Sequence, residues 1–179
     1  MKLISNNLQY YLPPLHDLTD IVIRINLAWY NRPSLANALK YWEQHNANIF
    51  LDVPVGRTKP PCNQYSKEEV QLIKCLYPNI AYLAISNVET PEDLDYWHID
   101  DVSLVPKIET AVGIQGIETL ADKCHFKYVM LDHGDLFLDL QKNYPGDDLY
   151  ISWIDPFLLT CCDLNINVLR ERGLVFSDE

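Results

Sequence analysis

Residues 102–113 read VSLVPKIETAVG, a short apolar run that ends in charged residues and passes into a stretch with helical periodicity. This order is typical of a β-strand followed by an α-helix. Lys107 and Glu109 lie two residues apart where the predicted strand ends, so their side chains lie on one face of it. The same strand and helix alternation recurs along the chain without a hairpin signal, which predicts an α/β fold with a parallel sheet.

Eight apolar runs are predicted as strands. The six clearest are Ile21–Ala28, Ile49–Val55, Ala81–Ser86, Val102–Ile108, Lys127–Leu131 and Leu149–Ile154, and the two weaker ones are Leu8–Leu12 and Leu174–Phe176. The predicted helices are Ser34–His45, Ser66–Leu76, Pro91–Trp97, Thr110–Cys124 and Phe157–Arg172. Eight strands favour a compact (β/α)8 barrel over a doubly wound sheet. Because such barrels usually take about 250 residues, some helices are expected to be reduced or missing.

Composition limits the class of protein. The 179 residues are 48% hydrophobic and 22% charged, which predicts one domain over residues 1–179 with a real core. A net charge of −11 argues against nucleic acid and anionic membranes as partners. The longest uncharged stretch, residues 75–88, is shorter than a membrane span, and no secretory signal is recognised, so a cytoplasmic location is expected. Five cysteines without a C-x-x-C motif indicate neither disulfides nor structural zinc.

Charged or polar residues lie at or near the ends of four of the predicted strands. They are Lys107 with Glu109, His133 with Asp135, Arg24 with Asn26, and Asp52 with Arg57 and Lys59. The carboxyl ends of barrel strands meet at one mouth, where active sites form. Carboxylates beside lysine and arginine suit a hard divalent cation, Mg²⁺ or Mn²⁺. A single charged residue at a strand end is more often a solvated or salt-bridged group than a catalytic one, and Lys107 with Glu109 can be an ion pair.

These segments carry a resemblance to known enzymes. Residues 105–113 resemble the S-K-I-E-N-x-x-G segment of pyruvate kinase and the M-I-E-T-x-x-G segment of citrate-lyase β-subunits and HpcH/HpaI aldolases, and residues 128–136 resemble the M-V-A-R-G-D-L-G of pyruvate kinase. Four further segments match pyruvate kinase in order: 23–27 with A-R-L-N-F, 50–52 with A-L-D, 56–58 with E-I-R-T-G and 83–88 with I-A-L-S-F-V. The chain therefore resembles the phosphoenolpyruvate/pyruvate barrel superfamily.

The resemblance implies a role for each matching residue. Glu109 and Asp135 would be the Mg²⁺ or Mn²⁺ ligands, and Lys107 would stabilise charge on the substrate. The anionic oxygens of the substrate would bind Arg24 and Arg57, with Asn26 and Gly134 as further binding positions.

His133 is the candidate for proton transfer, because its ordinary pKa is near 6.5 and Asp132 and Asp135 could orient it. A loop histidine that merely contacts a carboxylate is the alternative.

The chain also departs from the pyruvate kinase pattern. Ala28 replaces the potassium-site serine, Val53 a threonine, His133 the arginine of A-R-G-D, and Phe137 a glycine. The segment between Arg57 and the next predicted strand is too short for the nucleotide-clamping domain of pyruvate kinase, and the matching segments include no regulatory domain. Phosphoryl transfer to ADP is therefore not expected.

The sequence therefore predicts a metal-dependent carbon–carbon lyase or aldolase that acts on a 2-oxo acid or enolpyruvate-type substrate. Its partner would be a small anionic metabolite similar to pyruvate, oxaloacetate or phosphoenolpyruvate. The alternative is a non-catalytic barrel remnant that serves as a scaffold, favoured by the bulky Trp29, Tyr30 and Phe137. Strands left uncovered by missing helices would make the protein a homo-oligomer.

Overall fold

The computed structural model describes residues 2–5, 21–146 and 149–170 and has an α/β fold. The strands in these ranges are β1 (Lys2–Ser5), β2 (Ile21–Asn26), β3 (Asn48–Val53), β4 (Ile80–Ile85), β5 (Ser103–Ile108), β6 (Tyr128–Leu131) and β7 (Asn167–Arg170). The helices are α1 (Arg32–Gln44), α2 (Lys67–Leu76), α3 (Pro91–Asp95), α4 (Ala111–Gln115), α5 (Ile117–Cys124), α6 (His133–Asn143) and α7 (Leu149–Asp163). The predicted α/β class is confirmed.

The chain packs as two compact units. The first comprises Met1–Ser86 with Leu94–Val105, and the second comprises Asn87–Asp93 with Pro106–Glu179. Two such units can belong to one domain, so the single domain over residues 1–179 stays a prediction. A closed eight-stranded barrel also stays a prediction. Among the described residues, no helix is long and apolar enough to cross a membrane.

The first unit is built on parallel pairing of β1 with β2, β2 with β3 and β3 with β4. The middle strands are apolar on both faces, as a parallel sheet covered on each side requires. Their fully buried side chains include Ile23, Ile25, Ile49, Phe50 and Leu51. Each such side chain contributes about 1.5–3 kcal/mol through burial. The register sets Asn26 opposite Asp52, so the polar ends of β2 and β3 are neighbours.

The second unit contains the end of β5, which pairs in parallel with β6, and the parallel pair β6 with β7. The register places Lys107 opposite Met130 and Ile108 opposite Leu131. Thr110 caps the start of helix α4, because its hydroxyl accepts a hydrogen bond from Gly113 N, and Asp132 caps the start of helix α6. Both strands of the first pair therefore pass directly into helices at the same edge of the sheet.

Local signals in the sequence predicted several helix starts correctly. The Ser66 hydroxyl accepts a bond from Glu69 N while the Glu69 carboxylate accepts one from Ser66 N, which forms a capping box at the predicted start of α2. At α3, the Asp93 carboxylate accepts bonds from both the backbone N–H and the hydroxyl of Thr90. The predicted helix Thr110–Cys124 is present as α4 and α5, which are separated at Gly116.

The prediction failed at the end of the described chain. Leu149–Ile154, predicted as a strand, is the first part of α7, and the predicted helix Phe157–Arg172 stops at Asp163 before β7. Pro156 is typical of a helix start, but it lies inside α7. The helix ends near Asn165, whose positive φ of 56° turns the chain towards the pairing of β7 with β6.

Three elements were missed by the sequence analysis: β1, α6 and β7. A short strand such as β1 carries too few residues for periodicity to be recognised. Helix α6 begins directly after β6, where the residues were interpreted as a continuing strand end. The weak predicted strands Leu8–Leu12 and Leu174–Phe176 lie outside the described residues.

Two glycines of the second unit offer a test of the packing. A β-carbon at Gly113 would lie 2.8 Å from the Val88 carbonyl oxygen, whereas at Gly134 the nearest atom would be Asp132 Oδ1 at 3.7 Å. We expect Gly113→Ala to lower the stability by about 1–3 kcal/mol, because backbone must move to make room. Gly134→Ala in the first turn of α6 is the control and should unfold at or slightly above the wild-type temperature. Equal melting temperatures of the two variants, followed by circular dichroism, would contradict this packing.

Candidate functional site

The ends of β5 and β6 bring two carboxylates to one edge of the second unit. Ile108 and Leu131 are paired, and Asp132 N donates a hydrogen bond to the Ile108 carbonyl at 3.2 Å. Glu109 follows Ile108 directly, so Glu109 and Asp132 extend from neighbouring strand ends. The carboxyl edge of a parallel sheet is where α/β proteins bind ligands.

Three carboxylates converge at this edge. Glu109, Asp132 and Asp135 each offer one oxygen, and these three oxygens lie within 4.8 Å of one another. Glu109 is buried, whereas the two aspartates are partly buried. Carboxylate oxygens are the donors that Mg²⁺ and Mn²⁺ prefer. The two predicted ligands, Glu109 and Asp135, are thus brought together with a third acidic residue.

Asp132 was not among the ligands predicted from the sequence. One of its oxygens, Oδ1, accepts a bond from Asp135 N at 3.3 Å and so caps α6. The spacing of an aspartate three residues before a second acidic residue, directly after an apolar run, is a helix-start signal that could have identified it. Because capping fixes Asp132 against Asp135, the helix start holds two of the three carboxylates together.

Lys107 lies beside this cluster as a buried cation. Its Nζ is 2.9 Å from Glu109 Oε1 and 3.8 Å from Asp132 Oδ2. The side chains of Lys107 and Glu109 are only 5% and 6% exposed, so the predicted alternative of an ion pair is realised out of contact with water. The other Glu109 oxygen, Oε2, accepts a hydrogen bond from Asn87 N at 3.0 Å.

Burial changes the acidity of Glu109. Loss of hydration raises the pKa of this carboxyl above its ordinary value, and the negative charge of Asp132 adds to the rise. Lys107 and the Asn87 N–H act in the opposite direction, but they do not outweigh burial. A cation bound at the cluster would favour the ionised form that burial disfavours.

His133 and Asp135 do not lie at a strand end as predicted, because both belong to the first turn of α6. Residues two apart in a helix do not share a face, so the expected pairing of these side chains does not follow. The His133 ring is hydrogen-bonded through Nδ1 to the hydroxyl of Tyr150 on α7. Gly134, between His133 and Asp135, is exposed. The sequence analysis did not identify Tyr150.

The other predicted site residues belong to the first unit and contact the protein itself. Arg24 binds Asp52 Oδ2 through Nη2 at 2.6 Å and through Nε at 3.0 Å, and Asp52 is fully buried. Asn26 Oδ1 accepts a hydrogen bond from Ala28 N, at the start of a short 3-10 turn. Arg57 Nε donates to the backbone carbonyls of residues 59 and 61 at 3.0 and 2.7 Å. Each of these groups therefore has a structural partner.

The fold of this chain is similar to that of several solved structures, although comparisons with family models and curated sequences find no match. No protein-family model matches the chain, and no curated protein matches its sequence. Among solved structures, pyruvate kinase from Pyrobaculum aerophilum aligns with a TM-score of 0.65 and 16% identity over 95% of this chain and 58% of its own. An HpcH/HpaI aldolase/citrate lyase family protein from Burkholderia cenocepacia aligns at 0.62 and 14% over 83% and 70%.

The chain has the fold of these enzymes. CitE from Mycobacterium tuberculosis, solved with magnesium and acetoacetate, aligns at a TM-score of 0.50 and 14% identity over 83% of this chain and 71% of its own. The chain thus spans 58 to 71% of the length of the three structures. The resemblance to the phosphoenolpyruvate/pyruvate barrel superfamily is confirmed for the fold.

The raised pKa of Glu109 predicts a pH-dependent stability in the metal-free protein. Between the unfolded value of about 4.3 and the higher folded value, the folded state retains a proton that the unfolded state has lost. This contribution is complete below the unfolded pKa and is lost as the pH rises through the folded pKa. We therefore expect the difference in free energy of unfolding between the wild type and Glu109→Gln to decrease as the pH rises through this window.

Urea unfolding from pH 4 to 8 with EDTA measures this difference. Glu118→Gln, at an exposed position of α5, is the control for the loss of a glutamate charge. A difference that stays constant or grows with pH would show that burial does not dominate at Glu109.

Proposed function

We propose that this chain is a divalent-metal-dependent enzyme that makes or breaks a carbon–carbon bond in a 2-oxo acid or enolpyruvate-type substrate. The observation that carries the proposal is the cluster of Glu109, Asp132 and Asp135 beside the buried Lys107, at the carboxyl ends of two neighbouring strands. The fold supports it, because structures of the aldolase and citrate lyase family share that fold. The small organic acid is supported by CitE, which was solved with acetoacetate.

The donor set at the cluster fits Mg²⁺ or Mn²⁺. Three carboxylate oxygens within 4.8 Å supply hard donors, and two of the residues are partly open to solvent. Glu109 and Asp135 would hold the ion, with Asp132 as a third acidic residue. When bound, such an ion stabilises the negative charge that develops on an enolate oxygen.

Lys107 supplies a positive charge that is fixed before a substrate arrives. Its ammonium group is held by Glu109 at 2.9 Å and is almost fully buried, so little reorganisation is needed when negative charge develops nearby. His133 is proposed to hold or move a proton at its ring. Gly134 leaves the first turn of α6 without a side chain, which allows a substrate to approach the backbone.

Arg24, Asn26 and Arg57 remain proposals for substrate binding. Their contacts within the first unit favour a second candidate function, a non-catalytic scaffold, because each of the three already makes structural hydrogen bonds. A homo-oligomer and a cytoplasmic location also remain proposals. Exposed apolar side chains on α7, among them Ile151 and Leu159, would suit a subunit contact.

Metal binding separates the enzyme from the scaffold. We expect Mn²⁺ titration, followed by electron paramagnetic resonance, to reveal a site that Glu109→Gln or Asp135→Asn weakens at least about tenfold, since each removes a charged ligand. Asp132→Asn keeps the helix cap and should also weaken the site. Asp122→Asn, at an exposed position of α5, is the matched control. Unchanged Mn²⁺ binding in both Glu109→Gln and Asp135→Asn would overturn the assignment.

Oxalate tests the substrate class, because it has the two chelating oxygens of a pyruvate enolate. With Mg²⁺ present, oxalate should raise the melting temperature, and the rise should disappear with EDTA or in Lys107→Ala. Lys107→Met, which keeps the apolar stem, guards against a folding defect in the alanine variant. Pyruvate and oxaloacetate belong to the same screen. No stabilisation by any of these anions would leave the common fold without the proposed substrate.

A further inference from the structure

The contact between His133 and Tyr150 joins α6 to α7 beside the acidic cluster. His133 is the first residue of α6, and Tyr150 lies in the first turn of α7. The Tyr150 hydroxyl is hydrogen-bonded to His133 Nδ1, and the ring centroids are 5.8 Å apart. Tyr150 also packs edge-on against Phe137 of α6, with centroids 5.7 Å apart. Ring packing therefore places the hydroxyl independently of the hydrogen bond.

The direction of this hydrogen bond determines which nitrogen of His133 carries the proton. A neutral imidazole has one donor nitrogen and one acceptor nitrogen, and a phenol hydroxyl can do either. Within the described part of the chain, the hydroxyl of Tyr150 has no second hydrogen-bond partner, and the residue is partly buried. Burial and the negative charge of Asp132 raise the pKa of Tyr150, so the hydroxyl keeps its proton. Only the arrangement in which Tyr150 donates to Nδ1 gives this proton an acceptor among the described protein groups.

We propose that Tyr150 is a positioning residue that fixes His133 in the tautomer protonated at Nε2, so that the Nε2–H group donates a hydrogen bond to an oxygen of the substrate. No protein group among residues 21–146 and 149–170 occupies Nε2 in the structure. The ligand part of this inference rests on the proposed function. It narrows the role of His133 from moving a proton to donating a hydrogen bond.

The inference also restricts the substrate group that His133 contacts. In the A-R-G-D segment that residues 132–135 resemble, an arginine cation occupies this position. A single imidazole N–H provides one hydrogen bond without the fork of donors that suits a phosphoryl group. A single carboxylate or carbonyl oxygen is the acceptor that this donor fits.

Nuclear magnetic resonance tests the tautomer without any ligand. In the ¹⁵N-labelled full chain, at a pH above the ordinary imidazole pKa of about 6.5, long-range ¹H–¹⁵N correlations identify the protonated nitrogen. We expect the wild type to carry the proton on Nε2 alone, and Tyr150→Phe to add a population protonated at Nδ1. Tyr144→Phe, a tyrosine that packs on Trp153, is the control. A wild-type ring protonated at Nδ1, or no change in Tyr150→Phe, would overturn the proposal.

Ligand binding tests the donor role. With Mg²⁺ present, calorimetry should show that His133→Ala lowers oxalate affinity about three- to tenfold, as expected for one hydrogen bond. His133→Gln should retain most of the affinity, because its side-chain amide donates a hydrogen bond but cannot transfer a proton. Tyr150→Phe alone should lower the affinity for oxalate. Added to His133→Ala, it should lower that affinity no further.

The tautomer measurement and the binding measurements together keep this inference separate from the proposed function. Mn²⁺ affinity should stay the same in all of these variants, since none removes a carboxylate. If the wild type binds no Mn²⁺, the proposed function fails, while the tautomer measurement still decides the role of Tyr150. If Mn²⁺ and oxalate bind but Tyr150→Phe changes neither the tautomer nor oxalate affinity, the proposed function stands and the role of Tyr150 is refuted.

Discussion

The buried ion pair between Lys107 and Glu109 is the interaction on which the candidate site depends. Removing two charges from water is costly, and the cost is offset only when their partners are well placed. Here the two groups are 2.9 Å apart, and the second Glu109 oxygen accepts the Asn87 N–H. The pair is fixed because Lys107 lies in β5 and Glu109 directly follows that strand, so the two side chains, two residues apart, share a face. The other carboxylates are arranged around a charge that is already in place.

Asp132 links the strand, the helix and the charged cluster. Its N–H continues the pairing of β6 with β5 through the Ile108 carbonyl, and its Oδ1 caps α6. Its Oδ2 lies 3.8 Å from Lys107 Nζ. One residue therefore sets where the helix begins and where Asp135 and His133 lie. The polar ends of strands in the first unit serve a different purpose, since Arg24 neutralises the buried Asp52.

The sequence alone determined the elements that local chemistry specifies. Continuous apolar runs predicted β2 to β6 within two residues, because a strand buried on both faces leaves no polar alternation. Side-chain capping at Ser66 is also local, and the structure contains it. Lys107 and Glu109 were also predicted to share a face, because they lie two residues apart at the end of one strand. The order of matching segments was sufficient to predict the fold that the solved structures share.

Only the tertiary structure decided the rest. The apolar run at Leu149–Ile154 suits a strand or a helix equally, and the choice of α7 depends on its packing with β7 and with α4, α5 and α6. That choice brings Tyr150 to His133, a contact across 17 residues for which neither local sequence contains a signal. Asp132 enters the cluster because β6 pairs with β5 in one register. Periodicity and capping are properties of neighbouring residues, whereas the neighbours of a side chain in space depend on how whole elements pack.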